Sequence, residues 1–519
     1  MRKDVIVDVR EQRPLFCEGS SPYRGGNDDG LPGLGETVAE TSIVGWRKLF
    51  ALGNVIWLVI GLSALIVSAP APAQQAHSTL ARLELPTPLS DPRTIDFGTD
   101  PVLSFVTRTS PSDDFIAAVA SAVTRHPVLA EATAAAGVAR AQRRETRAGL
   151  FPTLSASVTG SQSLSRDFID TSAAVERLLP RGRADASLNA DQLLFDFGAT
   201  SGRIAGASAR LRAANAEADR AASATALAAT QAWYQIIGFQ ALVELSDALI
   251  DRHRTILSST RARTEAGVGT GGDVARAEAG LADAIGDGAR NARSLASVRA
   301  RYRELFGSEA PLHLPRPKID VVIVSQTASL EQSRRTPEVV SAEALADSAR
   351  AEARAVRGDA LPNLSAGVSG TRFNVFGAGP NYDVRAQVVL RASFSTGGAE
   401  MARINAAGTR IRAALATADR ARIEAERDAE TAFADARILA TSVAAHSDAY
   451  RANRRNRDIM AEQFRLSRGS LIDLLRTEGD YFAAARELLL ASIERDMASY
   501  TLLARTGGLL RHFAIPPAR

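Results

Sequence analysis

Cysteine is all but absent: the 519-residue chain has one, Cys17. A disulfide scaffold or a multi-thiolate metal site is thereby excluded. Lysine is nearly as scarce. Lys3, Lys48 and Lys318 are the only lysines among 62 basic residues, which face 58 acidic ones for a net charge of +4. So even a balance gives no reason to expect nucleic acid as a partner. Aromatics are only 5% of the chain, and its richness in Ala and Arg suits long, narrow helices. The six histidines, His77, His126, His253, His313, His446 and His512, fall at no metal-ligand spacing. No Ser/His/Asp or phosphate-loop signature appears, so no catalytic residue, cofactor or metal is expected. Gly267-Val268-Gly269-Thr270-Gly271-Gly272 looks like a dinucleotide loop only on the surface, because Arg261 to Glu265 before it continue a helical run rather than a strand. What is present is ample: 45% hydrophobic residues beside 23% charged ones can fill a sizeable core in two or three domains.

Residues Leu49 to Ser68 are apolar, follow Arg47-Lys48 and run into Ala69-Pro70-Ala71-Pro72-Ala73. Basic, apolar and small-residue regions in that order read as a secretory signal over 49–74, cut near Ala73 or Gln74. The rival is a membrane anchor, since about 20 apolar residues span a bilayer. Residues 1–48 are then a cytoplasmic extension or the product of a start assigned too early, with Val44 an alternative first residue. No cysteine follows the apolar stretch, so lipid anchoring there is not expected.

The rest of the chain repeats itself. At an offset of 210, Pro127, Arg140, Arg144, Arg147, Pro152, Leu154, Val158 and Gly160 meet Pro337, Arg350, Arg354, Arg357, Pro362, Leu364, Val368 and Gly370. At an offset of 200, Gly269, Asp273, Arg276 and Glu278 meet Gly469, Asp473, Arg476 and Glu478. Two copies of one unit fill the chain. After the shared proline of each copy the apolar period becomes two, giving strands expected at 152–165, 183–197, 362–376 and 381–396. One face of these strands is apolar. The other carries Arg183, Asp185, Asp191, Arg385 and Arg391, as the water-filled lumen of an outer-membrane barrel requires and the face of a soluble sheet does not. Four strands cannot close a barrel around a lumen, so several copies must contribute. No proline occurs between Pro180 and Pro311 or between Pro380 and Pro516. Helices are expected at 199–310 and 399–505, each broken once, at Gly267–Gly272 and at Ser467–Ser470, into antiparallel arms of about 65 residues and roughly 100 Å. An ordinary cytoplasmic coiled coil is the alternative.

With these features in view the chain resembles the TolC family of outer-membrane export channels, over about Ser112 to Leu510. The resemblance rests on His126-Pro127 and Thr336-Pro337, on the strand entries Phe151-Pro152-Thr153-Leu154 and Leu361-Pro362-Asn363-Leu364, and on the Gly267 to Asp273-Val274 turn with its partner before Asp473-Leu474. It implies a mixed α and β fold of two repeats: a long antiparallel coiled-coil barrel below a transmembrane β-barrel shared by a homotrimer. The repeats run over 112–312 and 335–510, with a linker at 75–111, a connector at 313–334 and a tail at 511–519. The implied place is the cell outer membrane with an extension into the periplasm. The implied partners are outer-membrane lipid, a periplasmic adaptor (membrane fusion) protein and an inner-membrane ABC or proton-driven pump. Cargo is protein, by type I secretion, or small molecules, by drug efflux; the missing lipidation cysteine leans towards secretion. A periplasmic coiled-coil structural protein without a lumen is the alternative of another class.

The family pattern also implies roles at the turns. Gly267, Gly269, Thr270, Gly469 and Ser470 would be adaptor-docking tips. Asp273 matches an aspartate that closes the family's periplasmic gate on a tyrosine and an arginine. Phe464 stands at the tyrosine, and Gly469 at the arginine with Arg468 beside it. Asp473 matches one aspartate ring of the pore, while Arg476 replaces the other. A gate here would rest on Asp273 with Arg468 or Arg476.

Overall fold

The computed structural model describes residues 83, 85–165, 182–319, 325–377, 379, 381–393 and 395–518. The expected extension, the signal and the start of the linker lie outside them, as does 166–181 in the first hairpin. Ten helices, α1 (Pro101–Thr107), α2 (Asp113–Arg125), α3 (Pro127–Ala148), α4 (Ala199–Glu265), α5 (Gly271–Phe306), α6 (Gln326–Ser333), α7 (Pro337–Asp359), α8 (Ala399–Arg465), α9 (Leu471–Arg505) and α10 (Leu509–His512), accompany four strands among the described residues. The strands are β1 (Thr153–Gln162), β2 (Gly182–Phe195), β3 (Asn363–Arg372) and β4 (Tyr382–Arg391), forming one antiparallel sheet in the order β1-β2-β3-β4. Each repeat thus gives a hairpin, and the repeats join where β2 pairs with β3.

The strands are shorter than the periodicity suggests, for local reasons. Phe197 and Gly198 take left-handed backbone at φ 50° and 86° after β2, and Asn374 does so at 49° after β3. Left-handed residues end a pleated ladder. The helical arms differ more. α4 and α8 each have 67 residues, roughly 100 Å at 1.5 Å per residue, but their returning arms α5 and α9 have only 36 and 35. The expected equal arms of about 65 residues are therefore corrected. Gly307, at φ 70°, ends α5 early, and the uncovered half of each long helix is packed by a separate helix, α3 on α4 and α7 on α8. α7 also packs along α4, and α9 touches both α4 and α8.

Small residues make the α4–α7 contact possible. A Cβ added at Gly202 would lie 2.8 Å from the Ala355 backbone nitrogen, and one at Gly358 would lie 2.7 Å from that of Ala199. Ala351 and Ala355 complete the buried seam. Exposed pairs run beside it, Arg203 to Asp359 at 2.5 Å and Arg212 to Asp347 at 3.1 Å, and pairs of this kind contribute only about 0.2–1 kcal/mol each. The large side chains gather elsewhere, midway along α4. Phe115 meets Trp233, Tyr234, Tyr500 and Phe513 edge-on with ring centroids 5.2–6.0 Å apart. Several of the chain's few aromatics thus meet where α2, α4, α5, α9 and the C-terminal end come together.

Candidate functional site: the sheet faces and the helix tips

The pairing register sorts the strand side chains into two faces. Leu154 and Val158 of β1, Leu188 of β2, Val368 of β3 and Val384, Val388 and Leu390 of β4 fall on one face by alternation across the paired rows. All seven are exposed, Val158 at 75% and Leu154 at 74%. A sheet whose apolar side chains lie bare has not found its core within the chain. The opposite face carries Ser157, Ser187, Thr371 and Asp383 in one row and Asn189, Ser369 and Arg385 in the next. Arg183, Asp185, Asp191, Arg385 and Arg391 share this polar face. Arg183 pairs with Asp185 at 2.9 Å and Arg385 with Asp383 at 2.6 Å. β1 and β4 each have one edge with no strand partner among the described residues.

At the far ends of the long helices lie the two turns. After α4, Gly267 at φ 75° lets the Val268 amide donate back to the Arg263 carbonyl at 2.9 Å. After α8 the same left-handed place is held by Ser467 at φ 61°, with the Arg468 amide donating to the Gln463 carbonyl at 2.8 Å. Thr270 then caps α5 reciprocally: its hydroxyl oxygen accepts from the Asp273 amide at 3.2 Å, and the Asp273 carboxylate accepts from the Thr270 amide at 3.1 Å and hydroxyl at 2.8 Å. These bonds from Thr270 hold the Asp273 carboxyl below its ordinary pKa. Ser470 and Asp473 repeat the arrangement at α9, with the amide-to-hydroxyl bond at 3.1 Å and the hydroxyl-to-carboxylate bond at 2.6 Å.

Within one protomer, then, Asp273 is occupied with a helix cap, and its cationic neighbour is Arg276 at 3.8 Å rather than Arg468 or Arg476. Arg476 lies 3.9 Å from Asp480 on its own helix. What joins the two tips is Arg263, a residue the sequence reading passed over. Its guanidinium donates to the Phe464 carbonyl at 2.8 Å and to the Ser467 hydroxyl at 3.3 Å, and it lies over the Phe464 ring at 4.6 Å. Phe464 thus receives a cation on its face where a tyrosine would offer a hydroxyl. Gly269 and Gly469 are demanded by the turns: a Cβ would lie 2.7 Å from the Thr264 hydroxyl in the first and 3.1 Å from the Phe464 nitrogen in the second. Val268, Leu466 and Ile472 stand exposed around them at 65%, 48% and 51%.

A second feature escaped notice in the sequence, a set of charges buried between α8, α9 and the segment before α1. Asp100 caps α1, accepts from the Tyr450 hydroxyl at 3.0 Å and pairs with Arg454. The Tyr450 hydroxyl is also 2.9 Å from that of Tyr481, and burial pushes the Tyr481 hydroxyl up to about 12. Arg457 lies over the Tyr481 ring at 4.4 Å, 2.7 Å from Asp458 and 3.9 Å from Glu478. Asp100-Pro101 is a helix-start signal that could have been noticed, but nothing local announces a partner more than 350 residues away. Among the described residues no group of three His, Cys, Asp or Glu is placed to hold a metal, and no helix is long and apolar enough to cross a membrane.

A sheet bare on its apolar face, polar on the other and carried on long helices has the two-faced pattern of a barrel wall in a membrane. Residues 118–308 match the family described as outer membrane efflux protein. The outer membrane efflux protein BepC of Brucella suis biovar 1 (strain 1330) is 24% identical over 361 residues, 67% of this chain and 76% of that protein. Among solved structures, a membrane protein from Pseudomonas aeruginosa aligns with a TM-score of 0.70 at 20% identity, over 78% of this chain and 92% of its own. The outer membrane protein VceC of Vibrio cholerae aligns at 0.67 and 16%, over 75% and 95%. The family match is confined to 118–308, and the solved structures show that this chain shares the fold of these outer-membrane proteins.

Proposed function

We propose that three copies of this chain form the outer-membrane conduit of a tripartite exporter, with an inner-membrane pump and a periplasmic adaptor supplying energy and cargo. The observation that carries this reading is the two-faced sheet with two open edges. Closing β4 of one copy on β1 of the next makes twelve strands, puts the bare apolar face against outer-membrane lipid and lines the lumen with Arg183, Asp185, Asp191, Arg385 and Arg391. Exposed Val268, Leu466 and Ile472 at the tips suit docking of an apolar adaptor surface. A Cβ at Gly271 meets nothing within 4 Å, so Gly271→Leu should block docking while leaving the turn intact, whereas substitution at Gly269 or Ser470 disturbs the turn itself.

For the gate, three copies bring Asp273, Asp473 and Arg476 together three times over at the tip end, and the charges facing across it set its resistance. Type I protein secretion is favoured by the lack of a cysteine after the apolar leader; efflux of small molecules is the second reading, favoured by the likeness to an efflux protein. Single-channel recording of the purified protein in a planar bilayer tests the conduit, and absence of conductance overturns it. Loss of a secreted protein against gain of toxin sensitivity in a deletion strain separates the cargoes.

A further inference from the structure

The described chain begins with a strap, residues 83 and 85–100, laid against α4, α8 and α9 at once. It carries no helix beyond the turn Pro92–Thr94, yet it is bonded on both sides. The Leu83 amide donates to Glu244 of α4 at 2.7 Å. The Pro86 carbonyl accepts from Arg457 of α8 at 2.9 Å, and the Leu89 amide donates to Asp458 of α8 at 3.4 Å. Thr87, Pro88 and Leu89 share a cavity of about 690 Å³ with Thr255 of α4 and Phe464 of α8, close to the tips. The strap then returns along α8 and plants Asp100 on Arg454 and Tyr450. Because the strap is bonded to Glu244 of α4 and to Arg457 and Asp458 of α8, a change in the spacing of those two helices must break bonds to the strap.

Those bonds are held by buried charge. Asp100, Arg457, Asp458 and Glu478 are at most 1% exposed, and Arg454 is 5% exposed. Asp100 is the carboxylate paired with Arg454, so lifting the strap strips Arg454 of its counter-ion, which is strongly unfavourable while that side chain stays buried. The set is also incompletely satisfied: Asp458 Oδ1 has Arg457 Nε at 2.7 Å, but Arg457 Nη2 has no hydrogen-bond partner. A cluster so arranged disfavours small displacements and rewards a larger one that lets water or new partners in. That is the behaviour of a two-state catch.

We propose that the strap, Leu83 with residues 85–100, is a clasp that holds α4 and α8 at the spacing seen here, with Asp100 as its key, and that the tip end of the channel widens when the clasp lets go. The proposal rests on the conduit reading and assigns Asp100, Tyr450 and Arg454 a positioning role at a distance from the pore residues. The test is single-channel recording of the full-length chain in a Cys17→Ser background. Asp100→Asn is expected to raise the open fraction by roughly an order of magnitude, and Tyr450→Phe to raise it less. Joining Thr87→Cys to Thr255→Cys with a short thiol cross-linker is expected to hold the channel in its low-conductance state, and to return the Asp100→Asn channel to it; reducing a cleavable linker restores each. Thermal unfolding of the same samples separates the clasp from simple loosening, since a purely structural Asp100 lowers stability without responding to the cross-link. Conductance that is equal in the parent, Asp100→Asn and cross-linked proteins overturns the clasp. No conductance from any of them overturns the conduit instead.

Discussion

Ser467 and Gly267 hold the same place in the two repeats, at φ 61° and 75°, and only the glycine adopts that backbone without steric cost. Ser467→Gly is therefore expected to stabilise the chain by about 1 kcal/mol in thermal unfolding. Asp273→Ala removes one half of a reciprocal cap and should lower the melting temperature slightly. In conductance, Asp273→Ala and Asp473→Ala should each raise the resting current, and Arg476→Asp should make block by multivalent cations easier; unchanged current and block in all three place the constriction elsewhere. His253 supplies a pH signature. Buried against α5, it is held below its ordinary pKa of 6.5 by desolvation, against the pull of Glu478. The unfolded chain therefore takes up a proton near pH 6.5 that the folded chain refuses, so the His253 contribution is fully present above pH 6.5 and is lost as pH falls below it. His253→Gln should flatten that part of the stability–pH curve, and an unaltered slope means the imidazole is more accessible than its packing shows. The tip glycines were legible as a turn because their bonds are local, whereas Asp273 was expected at a gate and its cap with Thr270 came from the structure. Arg263 and Asp100 were not legible, because their partners lie about 200 and 350 residues away and no spacing rule reaches that far.

The elements were read with uneven success for a physical reason. Period-two alternation located all four strands, since each has one face in each environment, but it overran their ends, where left-handed Phe197 and Asn374 rather than polarity stop the ladder. A lack of proline permits a long helix without setting its length. That is why the returning arms looked twice as long as they are: the break at 267–272 is not the midpoint of the proline-free run, and only the 36 residues Gly271–Phe306 return from it. The α4–α7 seam shows what does set helix position. Gly202→Leu would drive a side chain into the Ala355 backbone, 2.8 Å from where its Cβ would lie, and should cost about 1–3 kcal/mol or more by forcing the helices apart. Gly408, whose Cβ would meet nothing within 4 Å, is the matched control: Gly408→Ala should leave the melting temperature unchanged or raise it.

For the whole molecule, the proposed trimer makes the simplest forecast: protein extracted from outer membranes in mild detergent should scatter light as three copies, and a compact monomer would contradict the shared barrel. The two open strand edges carry a further implication for how such a protein reaches its place. Each edge presents a row of amide and carbonyl groups that water can serve and hydrocarbon cannot. A lone copy entering the bilayer would leave both rows unserved, so partial insertion is no resting point, and joining neighbours and entering lipid must be one concerted act. The same rows make a copy in transit sticky towards any other open edge, including that of a faulty sister. A chain carrying Ser157→Pro in β1, made alongside the normal one, should therefore do more than fail: it should draw normal copies into dead assemblies and depress export in proportion to its dose.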